Sequence, residues 1–150
     1  MISRGFQILG GQPPRGTDTF PVIEIKSDES QEKGSRESFK PDLVVATPEV
    51  LLVVECKPLF DKQDVLKIGK ISHSHARLRA LVEELRQRRS LERHGHALAL
   101  QGDEYLINHT KFCLAYAGIH QPVRGLCSLV FKSDGSTATF FPDESSFLEF

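Results

Sequence analysis

A chain of 150 residues, 39% hydrophobic and 26% charged, has the size of one domain and can bury roughly 68–70% of its unfolded surface around a single core without disulfides or structural metal. It contains no run of about 18 apolar residues, which excludes a membrane-spanning helix, and its start, MISRGFQILGGQPPRG, lacks the continuous apolar stretch of a signal peptide. The net charge of −1 conceals an asymmetry, because residues 62–94 hold nine Lys or Arg against four Asp or Glu.

Gly10-Gly11, Pro13-Pro14 and Gly16 predict a loop or arm over residues 1–19, leaving residues 20–150 as a single domain. FPVIEIK at 20–26 alternates as a short strand does. The next stretch, SDESQEKGSRES, is polar on every side and contains Gly34, which favours a connection over a helix. Residues 39–46 and 50–57 read as two strands joined by a turn at Thr47-Pro48-Glu49-Val50. A helical pattern covers 63–94, with Ile71, Leu78, Leu81, Val82 and Leu85 at spacings of three, four and seven. Gly69 separates a short first turn, and Gly95 supplies the stop. KFCLAYA at 111–117 predicts a buried strand, and residues 126–132 and 137–141 a hairpin around Ser133-Asp134-Gly135-Ser136. The expected fold is α/β (α+β), a central mixed β-sheet flanked by helices with a C-terminal β-hairpin. Cys56, Cys113 and Cys127, odd in number and widely spaced, point to free thiols in an intracellular, reducing compartment.

Residues 40–57, KPDLVVATPEVLLVVECK, end two apolar runs in charge. If Thr47 pairs with Val50 across the turn, Asp42 stands opposite Glu55 and Lys40 opposite Lys57. Alternation then puts Asp42, Glu55 and Lys57 on one face. Directly opposed Cβ atoms lie about 4.5–5.5 Å apart, so two carboxylates there repel unless something neutralises them, and a divalent cation would. Val50 to Val54 is apolar on both faces, the pattern of an internal strand. The plainer reading is that these charges mark where the strands meet water. Glu-x-Lys is a common triplet, and Glu24-Ile25-Lys26 repeats it without an acid at hairpin distance upstream.

Pro41-Asp42, twelve intervening residues and Glu55-Cys56-Lys57 on a hydrophobic strand resemble the PD-(D/E)xK nuclease superfamily, and strand, hairpin, helix and strand over residues 20–117 follow its restriction-endonuclease-like core. The resemblance implies a metal-dependent endonuclease that hydrolyses phosphodiester bonds. It makes Asp42 and Glu55 the ligands of Mg²⁺ or Mn²⁺, with the Cys56 backbone carbonyl as a further oxygen, and sets Lys57 at the attacking water. Many members add an acid from a helix before the sheet; no amphipathic helix precedes this one, and Glu24, Glu29, Glu32 and Glu37 are the candidates, Glu24 preferred for its place on the first strand. The weak N-terminal region suggests a divergent member or a domain cut from a longer protein.

Nucleic acid is the implied partner, and no membrane is. Lys40, Lys62, Lys67 and Lys70 lie nearest the motif, and Arg86, Arg89 and Arg93 recur along the helix as a phosphate-contacting stripe, although such runs are commonly solvated helix faces. DNA and RNA are not separated by any base-reading motif. His73, His75, His94 and His96 invite a zinc reading, but residues two apart diverge on a helix and no Cys-x-x-Cys accompanies them. Cys56 is expected to point away from Glu55 and Lys57 as a buried, inert thiol. The alternative function is a catalytically inactive module that binds nucleic acid or a protein partner, including a parent polypeptide, on the same fold.

Overall fold

A computed structural model describes residues 7–12, 21–25, 38–94 and 97–143. Six strands form one mixed sheet in chain order: β1 (Gln7–Gly10), β2 (Leu43–Ala46), β3 (Leu51–Leu59), β4 (Thr110–Ala117), β5 (Cys127–Phe131) and β6 (Ala138–Phe141). The pairs β1–β2, β2–β3 and β5–β6 are antiparallel, whereas β3–β4 and β4–β5 are parallel. Helices α1 (Lys62–Ser72), α2 (His75–Gln87) and α3 (Asp103–Asn108) carry the chain from β3 to β4. Because β3 and β4 are parallel, the chain must return to the end of the sheet where β3 began, and these helices span that return.

Alternation decides what each face of the sheet meets. Val44, Ala46, Leu51, Val53, Phe112, Leu114, Tyr116 and Val130 share the main core with Ile68 and Ile71 of α1 and Leu81, Val82 and Leu85 of α2. Val54, Cys113, Ala115 and Cys127 form a smaller cluster with half-buried Leu43, Leu52, Leu129 and Phe131. The apolar run in β3 therefore has buried side chains on both faces, as expected for an internal strand. No helix among the described residues is long and apolar enough to cross a membrane.

Four of the expected elements differ in the structure. The loop expected over residues 1–19 contains β1, which pairs with β2 through an irregular register between Ile8 and Gly10. Gly10-Gly11 is there for close approach: a Cβ on Gly10 would strike the Pro21 carbonyl and one on Gly11 the Asp42 carbonyl. The strand expected at 20–26 is reduced, within the described residues 21–25, to a single bridge between Ile25 and Phe39, although Ile23 and Ile25 are fully buried. The helix expected over 63–94 is two helices that part after Ser72, not at Gly69, because the Ser74 hydroxyl caps α2 by accepting from the Arg77 N–H at 3.3 Å. Finally, α2 ends at Gln87 rather than near Gly95. Arg89 takes the left-handed conformation (φ 53°) while the Ser90 N–H reaches the Leu85 carbonyl and the Arg89 N–H that of Arg86, both at 3.0 Å. This is the Schellman closure, made here without glycine.

Candidate active site

The β2–β3 turn is built by Thr47. Its hydroxyl accepts from the N–H groups of Val50 (2.9 Å) and Glu49 (3.3 Å), and its own N–H donates to the Val50 carbonyl at 2.9 Å. A closed turn fixes the register, and Leu43 pairs with Val54, Val44 with Val53, Val45 with Leu52 and Ala46 with Leu51. The pairing ends at Leu43 and Val54, and one step further the same register would set Asp42 opposite Glu55. At this point the Asp42 side chain takes over the ladder, its Oδ2 accepting from the Cys56 N–H at 2.7 Å. The Gln12 N–H holds the adjoining backbone by donating to the carbonyls of Pro41 (3.0 Å) and Asp42 (3.1 Å).

Glu55 ends the buried part of β3 on the face occupied by Leu51 and Val53, and its side chain is only 11% exposed. Oε1 lies 3.7 Å from the Lys57 ammonium, whereas Oε2 is buried with no hydrogen-bond partner. Burial raises the Glu55 pKa above the ordinary carboxylate value and the negative charge of Asp42 raises it further; Lys57, Lys67 and the Asp42 backbone N–H pull in the other direction without prevailing. Burial and the neighbouring acid thus disfavour the charged form more than the two lysines favour it.

Lys57 has a second partner that the sequence did not single out. Asp64, in the first turn of α1, places Oδ1 3.5 Å from Nζ. Burial lowers the Lys57 pKa, but Asp64, Glu55 and Asp42 together outweigh it and hold the amine above its usual value. Asp61 starts α1 just upstream by accepting from the Gln63 N–H at 2.8 Å, and Ile68 and Ile71 anchor the helix in the core. Asp64 was hidden in a basic segment, and the one available signal was an acid in a capped first turn, which serves the helix dipole equally well.

Lys67, an expected nucleic-acid-binding residue, acts on the site electrostatically. Its ammonium sits 5.3 Å from the centre of the Phe39 ring and its charge is felt at Glu55. Lys40, Lys62 and Lys70 are exposed, as are Arg89 and Arg93. Arg86 is not available to phosphate in this arrangement. Its guanidinium donates to Asp103 (3.1 Å), Glu92 (3.3 Å), the Ala99 carbonyl (2.9 Å) and the Gln101 carbonyl, tying α2 to the segment before α3. Nor does the expected arginine stripe persist, since Arg89 and Arg93 lie beyond the end of α2.

Glu24 is half-buried beside the Ile25–Phe39 bridge, and among the described residues no hydrogen bond or ion pair joins it to Asp42 or Glu55. Glu29, Glu32 and Glu37 lie outside the described residues. Cys56 is exposed, not buried as expected, because β3 leaves its cover here. Its thiol is raised by desolvation and then by the charges of Asp42 and Glu55, which disfavours the thiolate a nucleophile needs. Cys113 and Cys127 are buried, and burial pushes the Cys113 thiol up to about 12. His73 is bound to the Gly69 carbonyl at 2.8 Å and His75 to Glu104 at 3.5 Å.

Among the described residues, no group of three or more His, Cys, Asp or Glu side chains is gathered as a metal cage. The fit to a hard cation rests instead on the carboxylates of Asp42 and Glu55 at the hairpin end, the second with a buried, unpartnered oxygen. Oxygen donors of this kind suit Mg²⁺ or Mn²⁺, which keep several waters and need few protein ligands. No known protein family, curated protein or solved structure matches the chain.

Proposed function

We propose that this protein is a metal-dependent nuclease of the restriction-endonuclease-like, PD-(D/E)xK type, hydrolysing phosphodiester bonds of nucleic acid. The observation that carries the reading is the hairpin end itself, where Asp42 adjoins Glu55, Glu55 has a buried oxygen without a partner, and the Lys57 ammonium flanks it. Asp42 and Glu55 would hold Mg²⁺ or Mn²⁺, with the Cys56 carbonyl as a further oxygen. When bound, the ion supplies a Lewis acid and lowers the pKa of a coordinated water.

The protein's own groups do the rest. Burial of Glu55 against the core weakens competition from solvent for its carboxylate. The Lys57 ammonium stands at the flank of the pair, 3.7 Å from Glu55, where it can orient a water or offset negative charge developing on a phosphate oxygen. Lys67, Lys62, Lys70 and Lys40 present exposed cations to the polyanion, a surface whose affinity falls with salt.

The test is cleavage of DNA and RNA substrates in Mn²⁺ by wild type and Lys57→Ala. The expected result is cleavage by wild type, reduced about 10²-fold or more in the variant, with Mn²⁺ binding retained. Equal cleavage by both would assign the activity elsewhere. That no group of three metal-ligating side chains is gathered among the described residues favours a second reading, a catalytically silent module holding nucleic acid on the same fold. That module would bind nucleic acid in a salt-sensitive manner and yield no metal-dependent products.

A further inference from the structure

Lys57 lies where β3 runs out of cover, and its side chain is 34% exposed. An ammonium on a four-carbon stem at such a place has many rotamers open to it, and solvent competes for its hydrogen bonds. Its position in the fold is nevertheless specific: Nζ lies between Glu55 Oε1 at 3.7 Å and Asp64 Oδ1 at 3.5 Å. The two anchors come from different elements. Glu55 precedes Lys57 on the same strand, while Asp64 reaches across from α1, whose start is fixed by the Asp61 cap and whose body is fixed by Ile68 and Ile71 in the core. The Asp64 side chain is itself largely shielded, 21% exposed.

We propose that Asp64 is the positioning residue of this site, a carboxylate supplied by α1 that holds the Lys57 ammonium beside the Asp42–Glu55 pair. The inference rests on the nuclease reading for its purpose and on the two ion-pair distances for its existence. When Glu55 is engaged by a ligand, Asp64 is the anchor left to Lys57 among the described residues. A third acid close to the pair thus serves the amine and is not a ligand of the cation. The role requires no bond to form or break at Asp64. It restricts where the Lys57 donor can point, and misplacing such a donor costs rate without costing ground-state binding.

The experiment compares full-length wild type, Asp64→Asn and Asp64→Glu in two independent arms. In the first, cleavage of DNA and RNA oligonucleotides is followed in Mn²⁺, with Mn²⁺ binding measured by calorimetry. Asp64→Asn is expected to lower kcat roughly 10–100-fold while KM and Mn²⁺ affinity stay within about twofold, and Asp64→Glu to recover most of the rate. In the second arm, NMR of ¹⁵N-labelled lysine follows the Lys57 ammonium without reference to activity. Its proton-coupled signal is expected to be observable in wild type and to be lost to solvent exchange in Asp64→Asn. Unchanged kcat in Asp64→Asn would overturn the proposal. A parallel loss of Mn²⁺ affinity would also overturn it, making Asp64 a metal ligand. Wild type without any cleavage would sink the nuclease reading and the catalytic purpose of the tether, and the ammonium signal would then decide whether the tether itself exists.

Discussion

Two charged regions of this molecule look alike in sequence and differ in physics. At the far end of α2, Arg86 is surrounded by Glu92, Asp103 and two backbone carbonyls, so acid meets base. At the end of β3, Glu55 meets Asp42, acid beside acid, with the nearby ammonium shared with Asp64. A buried unpartnered oxygen does not distinguish them, because Glu92 Oε2 is one as well as Glu55 Oε2. The sign of the neighbours does. A carboxylate paired to a guanidinium that also closes a helix end is structural, whereas a carboxylate held against another acid is maintained at a cost to folding and is therefore a candidate for binding a cation.

The largest expected effect on stability comes from breaking the satisfied region. Arg86→Ala removes four hydrogen-bonding interactions and leaves the Glu92 carboxylate without its base, which should destabilise the fold by about 2–4 kcal/mol in denaturant titrations. Replacing Lys62, Lys67 and Lys70 together with Ala should behave in the opposite way. Each exposed lysine should change stability by no more than about 0.5 kcal/mol, while nucleic-acid affinity falls and its salt dependence flattens. If Arg86→Ala were neutral to folding and selectively lost nucleic acid, the division between the two regions would be wrong.

A smaller and sharper contrast lies in the two glutamates. Glu92→Gln removes the charge that faces Arg86 and should cost about 0.5–1.5 kcal/mol. Glu55→Gln, without divalent ions, should do the reverse at neutral pH. Because the Glu55 pKa is raised in the folded state, its proton is held more tightly folded than unfolded, so the wild type loses stability as pH climbs from the ordinary value of 4.5 through the raised one. The neutral glutamine escapes that loss. Glu55→Gln should therefore match wild type below pH 4.5 and exceed it above the raised pKa, and parallel stability curves for the two proteins would contradict a Glu55 carboxyl raised by burial and by Asp42.

The smallest effect concerns the Arg89 backbone. With φ 53° and a Schellman closure around it, Arg89→Gly should stabilise the fold by up to about 1 kcal/mol, since glycine occupies that region without a Cβ penalty. A destabilisation would mean that the arginine side chain makes a contact worth more than the strain.

What could be read from the sequence follows the range of the forces involved. The β2–β3 register was legible because a four-residue turn with Pro48 leaves few ways to pair the flanking strands, and the alternation then carries Asp42 to Glu55. The core face of α2 was legible for the same reason, Leu81, Val82 and Leu85 all being buried as their spacing requires. The helix ends were not. Ser74 caps α2 between Ile71 and Leu78, whose spacing of seven also fits one continuous helix, and Arg89 does the work expected of Gly95. Strand β1 was obscured because Gly10-Gly11 reads as a break locally, while its purpose, room for the Pro21 and Asp42 carbonyls, is set by residues distant in sequence. The same holds at the site, where Lys57 was visible and Asp64 was not, because their contact depends on how α1 packs.

Calorimetric titration of Mn²⁺ into wild type and Glu55→Gln tests the central claim most directly. One binding event in wild type that disappears in the variant, while the variant remains folded, is the predicted result. No binding by wild type, or equal binding by both, would contradict a cation held between Asp42 and Glu55.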